Sequence, residues 1–224
     1  MTFQPSPEQS RIIDAPLVSL RVAAGAGTGK TTTIARRVAV LVERDGLEPE
    51  EILGLTFTNK AAQSLADQIT EVIHGEVERS VPVFTYHGFA AELLREFGLL
   101  VGVERHAALI TPTFARQIVH DLIRSHRIEN LDLTNPQVVG RVLTLASHIS
   151  NNLVDDVRIP IEPDDVWEAR KALLAAMELY RNEKLRLGVL DFGDLIAKAH
   201  ALVTEHPEVA TMIADRFRAV FLDE

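Results

Sequence analysis

Cysteine is absent from the 224-residue sequence. Its absence excludes a disulfide scaffold, a thiolate zinc site, a cysteine-ligated iron–sulfur cluster and a cysteine nucleophile, and it is compatible with a reducing compartment. The sequence also lacks any apolar run close to the roughly 20 residues that a transmembrane helix needs. The first ten residues lack the basic and apolar regions of a secretory signal peptide. We therefore expect a soluble, cytoplasmic protein without a membrane partner.

Basic residues are fewer than acidic ones, with 23 Lys and Arg against 32 Asp and Glu, and the net charge is −9. This balance argues against a protein that holds nucleic acid mainly through a broad basic face. The first 60 residues are neutral, with 7 basic and 7 acidic side chains. An anion site in that part must therefore come from local geometry, because bulk charge is not available to attract the ligand.

Strand-length apolar segments alternate with helical patterns in the first part of the chain. A short helix is predicted to begin at Ser6-Pro7, since serine caps helices and proline suits their first position. The predicted strands are 17–23, 52–57 and 81–84, and the helices that follow them are 31–44, 58–73 and 87–97. Three strand-to-helix units in a row predict an α/β fold in which a parallel sheet has helices on both faces.

The pattern changes near residue 104, where the strand-to-helix alternation stops. Helical patterns begin at Thr111-Pro112, Asn135-Pro136 and Pro163-Asp164, and no convincing strand occurs before residue 187. Two helices and a strand then follow, over 191–203, 207–217 and 219–222. We predict that the core begins in residues 1–103, is interrupted by an all-α insertion over 104–186, and resumes in residues 187–224.

A glycine-rich segment follows the first predicted strand and reads AGAGTGKT. It fits the relaxed phosphate-loop pattern, in which the backbone curls so that successive N–H groups face phosphate oxygens. Lys30 is predicted to reach the β- and γ-phosphates of ATP, and the Thr31 hydroxyl to ligate Mg²⁺. The alternative is an ordinary turn in which Lys30 is a solvated surface residue. The ATP-binding residues predicted in this segment are Ala24, Gly25, Ala26, Gly27, Thr28, Gly29, Lys30, Thr31 and Thr32.

Two carboxylates, Asp223 and Glu224, follow the last apolar run. A phosphate-loop enzyme needs an acidic residue at a strand end to hold the magnesium shell. Asp223 is predicted to hold Mg²⁺ through water, and Glu224 to polarise the attacking water. An apolar run ending in Asp-Glu is usually just a strand that leaves the core, but together with the phosphate loop it predicts an ATP and Mg²⁺ site. Lys30 and Glu224 are the predicted catalytic residues.

Five segments, in order along the chain, resemble motifs of the UvrD/Rep/PcrA family of superfamily 1 DNA helicases. The resemblance extends from Gln9 to Glu224. Besides AGAGTGKT and the terminal DE, it rests on TFTNKAA at 56–62, TYHG at 85–88 and LDFGDL at 190–195. It implies a RecA-like P-loop NTPase fold carrying a helical insertion. It also implies that Gln9 reads the edge of the adenine base.

The resemblance further implies that one rim of the sheet binds single-stranded DNA, because ligands of such sheets lie at the carboxyl ends of the strands. Phe57 and Tyr86 offer rings for base stacking. The phosphate contacts are expected from Thr58, Asn59, Lys60, Thr85 and His87. Two structural alternatives are a core position for Phe57 and a helix-capping role for His87.

The function that the resemblance implies is an ATP-dependent DNA helicase or translocase that moves 3′→5′ on single-stranded DNA and unwinds duplex junctions in repair or recombination. Thr32 stands where many family members have an arginine, so nucleotide contacts are expected to differ there. The sequence ends inside the DExx motif, and we expect an N-terminal fragment that lacks the second RecA-like domain. Such a fragment is expected to bind ATP but to hydrolyse it poorly.

Three other functions fit parts of the pattern. The chain could be the motor part of a helicase–nuclease subunit similar to RecB or AddA. It could also be a P-loop kinase, in which case TFTNKAA and TYHG are coincidental. The third possibility is a nucleotide-binding module without catalysis.

Overall fold

The structure is a computed structural model that describes residues 4–25, 27–73, 80–153 and 167–223. Within these residues, no helix is long and apolar enough to cross a membrane. The chain divides into two compact units, of which the first holds residues up to 89 together with those from 207 onward, and the second holds residues 90–206. The helices and strands, in chain order, are α1 (Pro7–Ile13), α2 (Lys30–Glu43), β1 (Ile52–Thr56), α3 (Asn59–Val72), β2 (Val83–Thr85), α4 (Tyr86–Phe97), β3 (Ala108–Leu109), α5 (Pro112–His126), α6 (Gln137–Asn152), α7 (Trp167–Leu187), β4 (Val189–Leu190), α8 (Phe192–Glu205), α9 (Pro207–Arg216) and β5 (Ala219–Asp223).

The first unit contains a parallel sheet in the order β2-β1-β5. Thr56 lies opposite Thr85 on one side and Asp223 on the other, so the three strands end at the same edge. On one face of the sheet, residues of α2 and α3 pack over Ile52. On the other face, Phe89 of α4 and Ile213 of α9 pack against the cluster formed by Leu53, Leu55 and Phe217. The α/β class and the helices on both faces are confirmed.

The prediction of a strand over 17–23 is wrong, because residues 14–25 form neither a helix nor a strand. The N–H of Val18 donates to the carbonyl of Pro16 at 2.8 Å, which turns the chain where the strand was expected to begin. The apolar side chains of residues 17–22 remain exposed. Among the described residues, β5 has no strand on its outer edge. The strand-length apolar sequence favours a strand, but a strand is stable only when a neighbour pairs with it.

The second unit is mainly helical, and α5, α6 and α7 enclose a core around Val119, Val142 and Tyr180. Thr111 caps α5, because its Oγ1 accepts from the N–H of Phe114 at 3.2 Å, and the predicted helix start there is confirmed. The helix start predicted at 163–164 lies outside the described residues. The expectation of no strand between 104 and 187 is wrong, because β3 pairs with β4. Two residues are too few to produce a recognisable pattern. The domain limits predicted at 103 and 186 stay predictions.

Candidate nucleotide-binding site

The phosphate loop leads directly into α2, whose N-cap residue is Gly29. Gly27 and Gly29 have φ angles of 74° and 78°, a left-handed conformation that favours glycine. Gly29 supplies no side chain to cap the helix, and no side-chain cap is made there. The N–H groups in the first turn of α2 therefore have no acceptor on the N-cap side chain, and they can donate to an anion. Ala26, also predicted to bind ATP, lies outside the described residues.

Lys30 is half-buried at the first position of α2. Its Nζ donates to the carbonyl oxygen of Gly25 at 3.2 Å, and Thr28 Oγ1 donates to the same carbonyl at 2.9 Å. Lys30 forms no ion pair with a carboxylate of the described residues. The ammonium group is thus held at the loop by one neutral acceptor, which a phosphate oxygen can replace with a stronger, charge-assisted bond.

Gln9 fastens α1 to the phosphate loop. Its Oε1 accepts from the N–H of Ser6 at 2.8 Å, and its Nε2 donates to the carbonyl of Thr28 at 3.0 Å. A Cβ atom at Gly29 would come within 3.2 Å of this Nε2. The Gln9 amide thus stabilises the phosphate loop from the side of α1. The adenine contact that the family resemblance implies stays a prediction.

The structure brings Thr31 of the phosphate loop to Asp223 at the end of β5. Thr31 Oγ1 donates to Asp223 Oδ2 at 3.2 Å, and Asp223 is only 6% exposed. Hydroxyl and carboxylate oxygens are the ligands that Mg²⁺ prefers, and Mg²⁺ commonly takes only one or two from the protein and the rest from phosphates and water. The described residues contain no group of three or more His, Asp or Glu that could hold a metal without other ligands. Glu224, the predicted water-orienting residue, lies outside the described residues.

A cavity of about 1070 Å³ opens beside these groups within the first unit. Gln9, Lys30 and Asp223 line it, together with the unpaired segment 17–24 and the outer edge of β5. Small-molecule sites occupy roughly 300–1,000 Å³, so the cavity is large enough for a nucleotide.

The predicted DNA-binding residues lie where β1 and β2 end. Phe57 follows β1 and is 72% exposed, so the alternative of a core position for Phe57 is wrong. Tyr86 follows β2 and is half-buried against the cluster around Leu53 and Phe217. The two rings follow Thr56 and Thr85, which lie opposite each other in the sheet.

The polar members of this rim belong to two helix starts. Thr58 caps α3 by accepting from the N–H of Ala61 at 3.1 Å, and Asn59 and Lys60 are exposed beside it. Thr85 Oγ1 accepts from the N–H of Gly88 at 3.0 Å, and His87 is half-buried in the first turn of α4. The seven predicted residues therefore share one edge of the sheet with Asp223.

Sequence reasoning missed a contact between α2 and α3. Thr32 Oγ1 donates to Gln68 Oε1 at 2.9 Å. The Thr32 hydroxyl is therefore directed at α3, and the predicted nucleotide contact of this residue would come from its backbone N–H. No motif or spacing in the sequence marks Gln68, because the contact depends on how the two helices pack.

The LDFGDL segment forms a partly buried polar cluster with residues of α7 in the second unit. Lys184 is 4% exposed, and its Nζ donates to Asp191 at 2.7 Å and to Asp194 at 2.6 Å. The Tyr180 hydroxyl donates to Asp191 at 2.9 Å. The two aspartates also form the capping box of α8. The segment therefore caps the start of α8 and pairs with Lys184, a cation that the sequence pattern did not reveal.

The two aspartates respond differently to this environment. Burial alone would raise the pKa of Asp191, but the Lys184 ammonium and the hydrogen bonds from Lys184, Asp194 and Tyr180 outweigh it and lower the pKa. Burial raises the pKa of Asp194, and the same ammonium offsets this only in part. Burial and the Asp191 carboxylate also raise the pKa of the Tyr180 hydroxyl. The Lys184 ammonium therefore outweighs the effect of burial on the pKa of Asp191 but not on that of Asp194.

The sequence matches the UvrD/REP helicase N-terminal domain family over residues 6–224. It is similar to the ATP-dependent DNA helicase PcrA of Staphylococcus aureus, with 26% identity over 219 residues, and to that of Staphylococcus epidermidis, with 28% identity over 217 residues. Each alignment covers 97% of this chain and 29% of the relative. The chain therefore spans less than a third of the length of these relatives. Because the family match extends over residues 6–224, the chain belongs to the UvrD/REP helicase family.

Proposed function

We propose that this chain is the ATP-binding portion of a helicase that couples ATP hydrolysis to movement on single-stranded DNA. The hydrogen bond of 3.2 Å from Thr31 to Asp223 carries the proposal. It sets the first turn of α2 against the end of β5, where a hydroxyl and a carboxylate can share a magnesium shell. The relatives named ATP-dependent DNA helicase support the same function.

Each residue of the site has one role in this proposal. Lys30 and the N–H groups at the start of α2 bind the phosphates, and Thr31 and Asp223 hold Mg²⁺. The bound ion neutralises charge on the phosphate oxygens. Asp223 is buried and anchored at a strand end, so it needs little rearrangement to receive the ion. Glu224 orients the attacking water.

The rim at the ends of β1 and β2 binds single-stranded DNA. Phe57 presents an exposed ring, on which bases of any sequence can stack. The exposed Asn59 and Lys60 contact phosphates beside it. The family resemblance adds 3′→5′ movement and a role in DNA repair or recombination, and both are part of the proposal for the whole protein.

Binding of a fluorescein-labelled oligothymidylate, followed by anisotropy, tests the DNA part. We expect binding, and we expect Phe57→Ala to weaken it by roughly 5- to 150-fold, because stacking of one base contributes about 1–3 kcal/mol. Leu99→Ala is the matched control, since Leu99 is 74% exposed and lies outside the rim. A P-loop kinase would bind no oligonucleotide, so the absence of binding would favour that alternative.

Hydrolysis by the 224-residue chain is proposed to be slow. An arginine supplied from another domain contributes roughly 10³–10⁵ to the rate of phosphoryl transfer in related P-loop enzymes. The family resemblance implies that such arginines belong to the second RecA-like domain. Phosphate-release assays should therefore show nucleotide binding with almost no DNA-stimulated turnover. Robust steady-state hydrolysis by this chain would contradict the proposal.

A further inference from the structure

The first turn of α2 is tied directly to the middle of α3. Thr32 Oγ1 donates to Gln68 Oε1 at 2.9 Å, and both residues are half-buried. The Gln68 amide is also used on its other side, because Nε2 donates to Ser64 Oγ one turn earlier in α3 at 3.2 Å. Two hydrogen bonds therefore fix the orientation of the Gln68 amide.

The two ends of this link belong to different sites. Thr32 follows Thr31, whose hydroxyl contacts Asp223. Gln68 belongs to α3, which begins with Thr58 as its cap and Asn59 and Lys60 in its first turn. Gln68 lies nine residues from Asn59, which is about 14 Å along a helix. A shift of the phosphate loop can therefore reach the predicted DNA contacts through one hydrogen bond and one helix.

The packing of α2 against α3 supports this transmission. Val38 and Leu41 of α2 and Leu65 and Ile69 of α3 are buried in the same cluster. Close-packed interiors resist compression, so helices move as units when their ends are displaced. The Thr32–Gln68 bond lies at the end of this contact nearest the phosphate loop, where bound nucleotide acts first.

We propose that Gln68 is a positioning residue that couples nucleotide binding in the phosphate loop to the DNA-binding start of α3. The proposal rests on the proposed function, and it adds a residue that touches neither ligand. A coupling between two sites is reciprocal, so nucleotide must change the DNA affinity by the same factor as DNA changes the nucleotide affinity. Since one neutral hydrogen bond carries the link, this factor should change by about 2- to 10-fold when the link is removed.

The first test is amide hydrogen exchange at residues 58–62, with and without a non-hydrolysable Mg–ATP analogue. In the unsubstituted chain the analogue changes the exchange of these amides. In Gln68→Leu the change is lost or strongly reduced, while the phosphate loop still becomes protected. Gln63→Leu is the matched control, because Gln63 is exposed on the same helix and its Nε2 donates to Asp67, one turn later in α3. An unchanged response in Gln68→Leu overturns the proposal, and so does an unsubstituted chain in which residues 58–62 do not respond.

The second test is the ratio of oligothymidylate dissociation constants with and without the analogue. Gln68→Leu should move this ratio toward one by about 2- to 10-fold, and Gln63→Leu should leave it unchanged. Thr32→Val should reproduce the loss, Thr32→Ser should restore the coupling, and the double variant Thr32→Val with Gln68→Leu should lose no more than either alone. Additive losses would show that Gln68 does not act through Thr32.

The two tests also separate this proposal from the proposed function. If the unsubstituted chain binds no oligonucleotide, the DNA part of the proposed function fails, and hydrogen exchange still decides the coupling. If the chain binds no Mg–ATP analogue, both proposals fail. Thermal unfolding of each variant shows whether a loss of coupling comes from a loss of folded protein.

Discussion

Lys30 in the first unit and Lys184 in the second are both held near a helix end, but they have opposite surroundings. Lys184 is 4% exposed, and two aspartates neutralise it at 2.7 and 2.6 Å. Lys30 is half-buried and donates to one neutral carbonyl at 3.2 Å. An ammonium group that is neutralised within the chain can stabilise the fold but attracts an anionic ligand only weakly. A charge that is held by a neutral acceptor remains able to bind an anion.

Substitution by methionine should therefore affect the two lysines differently. We expect the larger change in free energy at Lys184, where it appears as a loss of stability. Lys184→Met leaves two partly buried carboxylates without their cation. Breaking a fully buried pair typically costs about 3–5 kcal/mol in the free energy of unfolding, so we expect a loss toward the lower end of this range. Urea unfolding measures this loss. Arg186→Met is the control, because the ion pair of Arg186 with Glu183 lies at the surface, where solvent screening leaves it little effect on stability. A loss below about 1 kcal/mol for Lys184→Met would contradict the comparison.

Lys30→Met should leave stability nearly unchanged and weaken nucleotide binding. A hydrogen bond to a charged group contributes about 1.5–3 kcal/mol, so the dissociation constant of Mg–ATP should rise roughly 10- to 150-fold. Isothermal titration calorimetry measures the affinity, and urea unfolding checks the fold. An affinity equal to that of the unsubstituted chain would place Lys30 outside the site.

The difference between the lysines should also depend on pH. In Lys184→Met, burial without a cation raises the pKa of both aspartates above their unfolded value of about 3.9, so the variant gains stability relative to its unfolded state as the pH falls. In the unsubstituted chain, Asp191 has a lowered pKa, and its contribution is lost only below about pH 4. The raised pKa of Asp194 gives this chain a smaller gain at low pH than the variant has, because Lys184 partly offsets the effect of burial. The stability difference between the two should therefore shrink by roughly 1–2 kcal/mol between pH 7 and about pH 4.5. A difference that stays constant or grows would show that the aspartates do not act through Lys184.

The surroundings of Lys30 were easier to predict from the sequence than those of Lys184. Lys30, Thr31 and Asp223 lie in short motifs or at a strand end, and the parallel sheet brings those positions together because its strands end at one edge. Lys184 and Gln68 lie in helices without any motif, and their partners are decided by how helices pack. The missing strand at 17–23 has the same cause, since pairing with β5 is a tertiary contact that a short apolar run does not determine.

A smaller effect is expected at Gln9, which supports the loop that holds Lys30. Gln9→Leu removes the hydrogen bond to the Thr28 carbonyl, and a neutral hydrogen bond of this kind contributes about 0.5–1.5 kcal/mol. The affinities for ATP and GTP should both fall by about 2- to 10-fold. Competition with a fluorescent nucleotide measures both. A loss confined to ATP would instead support the adenine contact that the family resemblance implies.

The magnesium dependence of ATP binding tests the site at Thr31 and Asp223 most directly. Calorimetric titration of the chain with ATP, in Mg²⁺ and in EDTA, gives a ratio of dissociation constants, and the same titrations are made on Asp223→Asn. The unsubstituted chain should bind ATP at least about 10-fold more tightly with Mg²⁺, and Asp223→Asn should lose most of this advantage while remaining folded. If Asp223→Asn kept the full magnesium dependence, Thr31 and Asp223 would not form the metal site, and the account of this chain as a helicase ATP-binding portion would be contradicted.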